Sequence, residues 1–147
     1  MKALVFAAGL GTRLKPITDT IPKALVNVGG RPLLWHVIRK LQSAGISDIT
    51  VNVHHFADKV IEYVDSNPIP GLTVHISDER DLLRETGGGV RHARPFLEGS
   101  PFIIHNVDIL SDLDITHFAG LADPFALSNI LVSERKTARY FLFDEGM

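Results

Sequence analysis

Three observations predict an α/β fold with a mostly parallel central sheet. First, short apolar runs alternate along the chain with segments of helical periodicity. Second, the runs at 2–8 and 101–107 are almost continuously apolar, as strands covered on both faces are. Third, three polar stretches, Gly9–Lys23, Asp78–Gly89 and Asn106–Asp112, fall at strand ends or ahead of a helix. Ligands of open parallel sheets bind beyond the carboxyl ends of the strands, so these stretches are the candidate site.

Taken in order, Lys2 to Ala8 reads as the first buried strand, ending at Gly9. Gly9 to Pro22 is a long polar connection, and connections of that length in compact domains are often functional. Pro32 opens a helix in which Leu33, Leu34, Val37, Ile38 and Leu41 recur on one face, and Gly45 stops it. Ile49, Val51 and Val53 alternate as a strand, and Phe56, Val60, Ile61 and Val64 mark a second helix. Leu72, Val74 and Ile76 alternate with Thr73, His75 and Ser77, giving a strand with one polar face. A polar stretch to Gly89 leads into a short helix ending near Arg94. Pro101 to Val107 is the next strand, and Asp114 to Leu121 a helix with Asp114 near its N-cap. Two more strands are expected at Phe125–Val132 and Ala138–Phe143.

Composition narrows the function classes. The 147 residues are 45% apolar and 22% charged, a globular balance that excludes disorder. A formal net charge of -2 gives no basic footprint for nucleic acid, so any anion site is local. The absence of cysteine removes disulfides, thiol nucleophiles and thiolate-bound metals together. The start, Met1-Lys2-Ala3-Leu4-Val5-Phe6, runs too soon into glycines and charge for a secretory leader, and no apolar run is long enough to span a membrane. A soluble cytoplasmic protein is expected.

The loop after the first strand reads Ala7-Ala8-Gly9-Leu10-Gly11-Thr12-Arg13-Leu14 and continues to Lys23. Glycines let backbone N–H groups approach and cradle phosphate oxygens. Arg13 adds a forked donor and Lys23 a compact charge. The dinucleotide fingerprint fails because Leu14 stands where its third glycine belongs, and the Walker pattern is missing its Gly-Lys-Ser/Thr. The glycines alone read equally well as a tight turn with solvated Arg13 and Lys15.

Further on, Arg84-Glu85-Thr86-Gly87-Gly88-Gly89 precedes a short helix that Thr86 could cap, and glycines let a planar base lie on the backbone. Asp108, just past the strand Phe102–Val107, suits a hard cation such as magnesium, or equally a turn cap. Asp112 and Asp114 read as solvated or capping. Adjacent His54 and His55 face opposite ways and make a poor metal pair. His36 reads as partly exposed or hydrogen-bonded, Trp35 as packing, and Glu79 either as a neighbour of the ribose or base or as a solvated loop acid.

The whole string Ala7-Ala8-Gly9-x-Gly11-Thr12-Arg13, followed after nine residues by Lys23, resembles the signature of the sugar-1-phosphate nucleotidyltransferases. Pro16, Thr18, Pro22 and Leu25 fit the same pattern. Glu85-Thr86-Gly87-Gly88-Gly89 and Asn52-Val53-His54-His55 look most like the branch that uridylylates N-acetylmuramic acid 1-phosphate in cell-wall recycling. The resemblance implies a Rossmann-like three-layer sandwich of the nucleotide-diphospho-sugar transferase type. It implies transfer of a nucleoside monophosphate from an NTP, UTP favoured, to a sugar-1-phosphate, with release of pyrophosphate. By that resemblance Arg13 and Lys23 are catalytic, and Ala7, Ala8, Gly9, Gly11, Thr12, Gly87 and Gly88 bind the nucleotide. Asn106 would meet the sugar-phosphate, Asp108 would ligate Mg2+, and His54 and His55 could border the sugar pocket.

Family members continue for roughly another hundred residues, which carry a second metal-binding aspartate, so residues 1–147 are expected to be the N-terminal, nucleotide-binding part of one domain, incomplete at its C-terminus. Asp144 comes too early to be that ligand. A homo-oligomer or a complementing chain over the sheet edge is expected. The competing readings are mannose-1-phosphate guanylylation, a non-catalytic nucleotide-binding or regulatory fragment, and a Rossmann-like cofactor binder, against which Leu14 counts.

Overall fold

The computed structural model describes residues 1–132. Its central sheet has four parallel strands, β1 (Lys2–Phe6), β4 (Asp48–Val53), β5 (Thr73–Asp78) and β6 (Phe102–Asn106), in the order β5-β4-β1-β6. A two-stranded antiparallel ribbon, β2 (Asn27–Val28) and β3 (Arg31–Pro32), interrupts the path from β1 to the first helix. Gly29 and Gly30 turn it, the glycine pair that tight hairpins favour.

The helices lie in two layers. On one face α1 (Leu33–Ser43), α2 (Ala57–Ser66) and α5 (Ile115–Gly120) cover Ala3 and Val5 of β1 and Ile49, Val51 and Val53 of β4. On the other, α3 (Glu85–His92) and α4 (Arg94–Leu97) bring Val90, Ala93 and Leu97 against Leu4 and Phe6. Alternate β1 side chains thus enter opposite layers, which is why that strand reads as a continuous apolar run. The expected three-layer sandwich with a parallel sheet is observed.

The α1 stripe is buried as its spacing predicts. Its end follows from Gly45 at φ 79, where the N–H groups of Gly45 and Ile46 return to the carbonyls of Gln42 (2.9 Å) and Leu41 (3.1 Å). Asp114 caps α5, accepting the His117 N–H at 2.9 Å.

Several expectations are corrected. Phe125–Val132 forms no strand; Phe125 and Leu127 are fully exposed, with no neighbouring strand among the described residues to pair with. Ala138–Phe143 lies outside the described residues. Gly87, Gly88 and Gly89 are not a loop before the helix but part of its first turns. Thr86 therefore sits inside the first turn, and the N-cap position falls to Arg84, which makes no side-chain cap bond. Asn52 and Thr50 are as buried as the predicted apolar positions of β4, because a central parallel strand is covered on both faces.

Candidate nucleotide-binding site

The carboxyl ends of β1, β4, β5 and β6 bring the three polar stretches to one edge of the sheet. After β1 the chain folds into short 3-10 turns at Thr12–Leu14, Ile17–Asp19 and Lys23–Leu25. Gly11 is the pivot at φ 66. The buried Thr18 hydroxyl donates to the Gly11 carbonyl at 2.8 Å, which holds the loop closed. A Cβ on Gly11 would lie 2.8 Å from Thr18 Cγ2 and 3.2 Å from Lys23 Cβ.

The loop divides its backbone donors. Ala7 and Ala8 are buried, and their N–H groups are spent on Asn52 Oδ1, at 2.7 and 3.2 Å. From Gly9 to Arg13 no N–H donates to another described residue. Gly9 is exposed, and a Cβ added there would meet nothing within 4 Å. Arg13 is exposed and makes no ion pair among the described residues. The edge therefore offers a row of free donors and one free guanidinium, a local anion site on a chain of net negative charge.

Lys23 Nζ is paired with Asp108 Oδ2, joining the β1 loop to the turn after β6 across 85 residues. Both are partly exposed. That turn is anchored from two sides: Val107 N–H donates to Phe6 O at 3.1 Å, and Lys40 of α1 reaches the Ser111 carbonyl and hydroxyl. Asn106 ends β6 exposed, beside Phe6. His105, one residue earlier, titrates below the usual histidine range because it is desolvated and faces the Lys40 charge, effects that its bond to Asn106 O and the Asp108 charge only partly offset. Among the described residues no three histidine or acidic side chains cluster as a closed metal site.

Glu79 is not a solvated loop acid. It is 0% exposed and receives Asn52 Nδ2 at 2.9 Å and the Arg84 N–H at 3.3 Å. Over this pair lies Gly89, where a Cβ would come within 3.1 Å of Asn52 Nδ2 and of Glu79 Oε1. Gly89, missing from the expected site, is thus the glycine that packing requires. No local signal marked it, since Asn52 is one of three polar residues that alternate with apolar ones along β4. Gly88 is close only to Arg84 Cβ, at 3.0 Å, and Gly87 has open space around it. Since each helical glycine costs about 1 kcal/mol against alanine, packing leaves Gly87 unexplained. A cleft of about 660 Å³ runs along this side of α3, lined by Leu82, Arg84, Glu85, Gly88 and Arg91 among others.

The histidines settle individually. His54 Nδ1 lies 2.7 Å from Glu79 O, and His55 packs on Phe56. His36 Nε2 bonds to Val28 O at 2.8 Å, and Trp35 packs edge-on against His36. None of them faces the Lys23–Asp108 pair in a hydrogen bond.

Residues 2–140 match the nucleotidyl transferase family. The chain belongs to that family. It is 44% identical over 126 residues to the N-acetylmuramate alpha-1-phosphate uridylyltransferase of Caulobacter vibrioides, covering 84% of this chain and 51% of the relative. It is 36% identical over 129 residues to the mannose-1-phosphate guanyltransferase of Kluyveromyces lactis, covering 84% of this chain and 34% of the relative. Among solved structures, HddC from Yersinia pseudotuberculosis complexed with GMP-PN superposes with a TM-score of 0.72 at 31% identity, over 81% of this chain and 52% of that one. This nucleotidyl transferase chain spans about half the length of the uridylyltransferases it matches. No helix among its described residues is long and apolar enough to cross a membrane.

Proposed function

We propose that residues 1–147 are the N-terminal, nucleotide-binding part of a single sugar-1-phosphate nucleotidyltransferase domain. It takes a nucleoside triphosphate, UTP favoured, and N-acetylmuramic acid 1-phosphate is the favoured acceptor. The observation that carries the reading is the meeting of Lys23 and Asp108 beside a loop of unspent N–H donors. A cation and an anion that neutralise each other in the free protein become available together when phosphate and metal arrive.

In the proposed reaction a phosphate oxygen of the sugar-1-phosphate attacks the α-phosphorus of the triphosphate, and the bond to the pyrophosphate oxygen breaks. Such transfer depends on positioning and charge neutralisation more than on a protein nucleophile. The N–H groups of Gly9–Arg13 bind phosphate oxygens, and Arg13 holds the leaving pyrophosphate. Lys23 turns from Asp108 to the phosphate at the reacting centre. Ala7 and Ala8 contribute backbone surface, since their N–H groups are engaged. Gly87 and Gly88 form the platform for the base, and Asn106 meets the sugar-phosphate. Asp108 fits magnesium, which takes few carboxylates and fills its shell with phosphate oxygens and water. When bound, the ion would offset charge on the phosphates. Cytoplasmic residence and a place in cell-wall recycling belong to the same proposal.

Guanylylation is the second reading, supported by the mannose-1-phosphate guanyltransferase relatives and by the GMP-PN complex of HddC. Calorimetric titration with UTP, GTP, CTP and dTTP in magnesium separates the two. Selective UTP binding is expected, with Asp108→Asn abolishing its magnesium dependence; selective GTP binding would replace the first reading by the second. Pyrophosphate release on adding sugar-1-phosphate tests the chemistry, and binding without release would make the chain a nucleotide-binding module. Failure of the folded chain to bind any triphosphate would refute the proposal.

A further inference from the structure

Four backbone segments converge on one buried contact beneath the site. Asn52, near the end of β4 and 2% exposed, accepts the Ala7 and Ala8 N–H groups through Oδ1. Its Nδ2 donates to Glu79 Oε1, and Glu79 Oε2 accepts the N–H of Arg84, the residue before α3. Gly89, one turn into α3, closes over both side chains. No cationic side chain forms an ion pair with the Glu79 carboxylate among the described residues. A wholly buried acidic side chain is costly to place unless its oxygens are hydrogen-bonded, and here both accept from neutral N–H groups.

We propose that Asn52 and Glu79 are a positioning pair that locks the glycine-rich loop after β1 to the start of α3, so that the phosphate cradle and the base platform form one rigid unit. Neither residue touches nucleotide; both act through backbone N–H groups. The hydrogen-bond directions are fully determined. Oδ1 of Asn52 faces two donors, so its other atom must be the amide nitrogen, and that nitrogen requires an acceptor. Glu79 must accept twice, from Asn52 Nδ2 and from Arg84 N, and a carboxylate is the group of this shape that can. The consequence for nucleotide affinity rests on the reading given under Proposed function; the locking of the loop does not.

These bonds predict that the two groups can be exchanged. Glu79→Gln alone sets an amide nitrogen against one of two donors. Asn52→Asp alone keeps the acceptor for Ala7 and Ala8 but sets two buried carboxyl groups face to face, which can meet only by sharing a proton and so part as the pH rises. In the double variant Asn52→Asp/Glu79→Gln every bond returns. The new carboxylate at position 52 would accept from Ala7, from Ala8 and from the new amide at position 79, whose oxygen would accept from Arg84.

Amide hydrogen exchange at Ala7 and Ala8 and UTP affinity in magnesium, measured on the full chain, test this. Glu79→Gln, and Asn52→Asp at a pH that ionises both carboxyls, are expected to loosen both amides and to weaken UTP at least about tenfold, and the double variant to restore protection and to bind within about threefold of the parent. Val60→Ala, which thins the core of the opposite layer, should lower stability while leaving affinity unchanged. If a single variant does not fold, the double variant still decides, because the exchange restores its hydrogen bonds. Wild-type protection of Ala7 and Ala8 in Glu79→Gln would overturn the proposal, and so would a double variant that is unfolded or unprotected. If the parent binds no triphosphate yet the exchange rescues protection, the functional reading falls and the positioning pair stands.

Discussion

Replacing Gly11 by alanine attacks the pivot of the glycine-rich loop after β1, and its cost can be worked from the local geometry. At φ 66 an L side chain costs about 1–2 kcal/mol of backbone strain. The new Cβ would stand 2.8 Å from Thr18 Cγ2, and Thr18 cannot turn away without giving up its 2.8 Å bond to the Gly11 carbonyl. Overpacking of that kind adds about 1–3 kcal/mol. The stiffer unfolded chain returns about 0.4–1 kcal/mol. The net loss is about 1–5 kcal/mol, centred at about 3 kcal/mol, or roughly 9 °C in Tm for a domain of this size. Urea denaturation of Gly11→Ala beside Gly9→Ala is the assay. Gly9 has open space and no positive φ, so its alanine variant should stay within about 0.5 kcal/mol of the parent. On the proposed function it should nevertheless bind nucleotide more weakly, because the added methyl would stand in the space assigned to the phosphates. A Gly11→Ala variant within about 0.5 kcal/mol of the parent would refute the packing argument.

Arg13→Ala should leave stability within about 0.5 kcal/mol, since Arg13 has no ion-pair partner among the described residues, while depressing pyrophosphate release at least about a hundredfold; an equal loss of folding would remove Arg13 from the site. Gly89→Ala should destabilise by about 1–3 kcal/mol through its contacts at 3.1 Å, measured in urea, whereas Gly87→Ala should gain helix stability and lose only affinity. For His105 the charged form is disfavoured in the folded chain, mainly by burial. Its neutral form therefore supports the fold fully above the unfolded value, near pH 6.5, and that contribution is lost as pH falls toward the lower folded value. His105→Gln should flatten the stability profile in that window, and an NMR titration of His105 at or above about 6.5 would contradict the assignment.

Much of the candidate site was legible in the primary structure because its parts are local. The string from Ala7 to Lys23 carries its own turn residues, and an Asp at position 108 after an apolar run reads as a strand-end carboxylate wherever the strand lies. The helix over Leu33–Ser43 was equally plain, since five apolar residues and a terminal glycine state both its face and its end. The strand expected at Phe125–Val132 shows the opposite case: β-branched and aromatic residues without a partner strand do not make a strand, because the ladder supplies the hydrogen bonds.

What the sequence determined by itself was the fold class, the family, and the identity of the residues at the sheet edge, all of which depend on periodicity or on contiguous motif. Only the tertiary structure decided which of them meet. The pairing of Lys23 with Asp108 spans 85 residues and depends on β6 lying next to β1. The bonding of the buried Glu79 depends on Asn52 of the adjacent strand β4 lying beside the end of β5, and the demand for Gly89 depends on both. No local pattern encodes such contacts, because the free energy that selects them comes from excluding water between segments far apart in the chain.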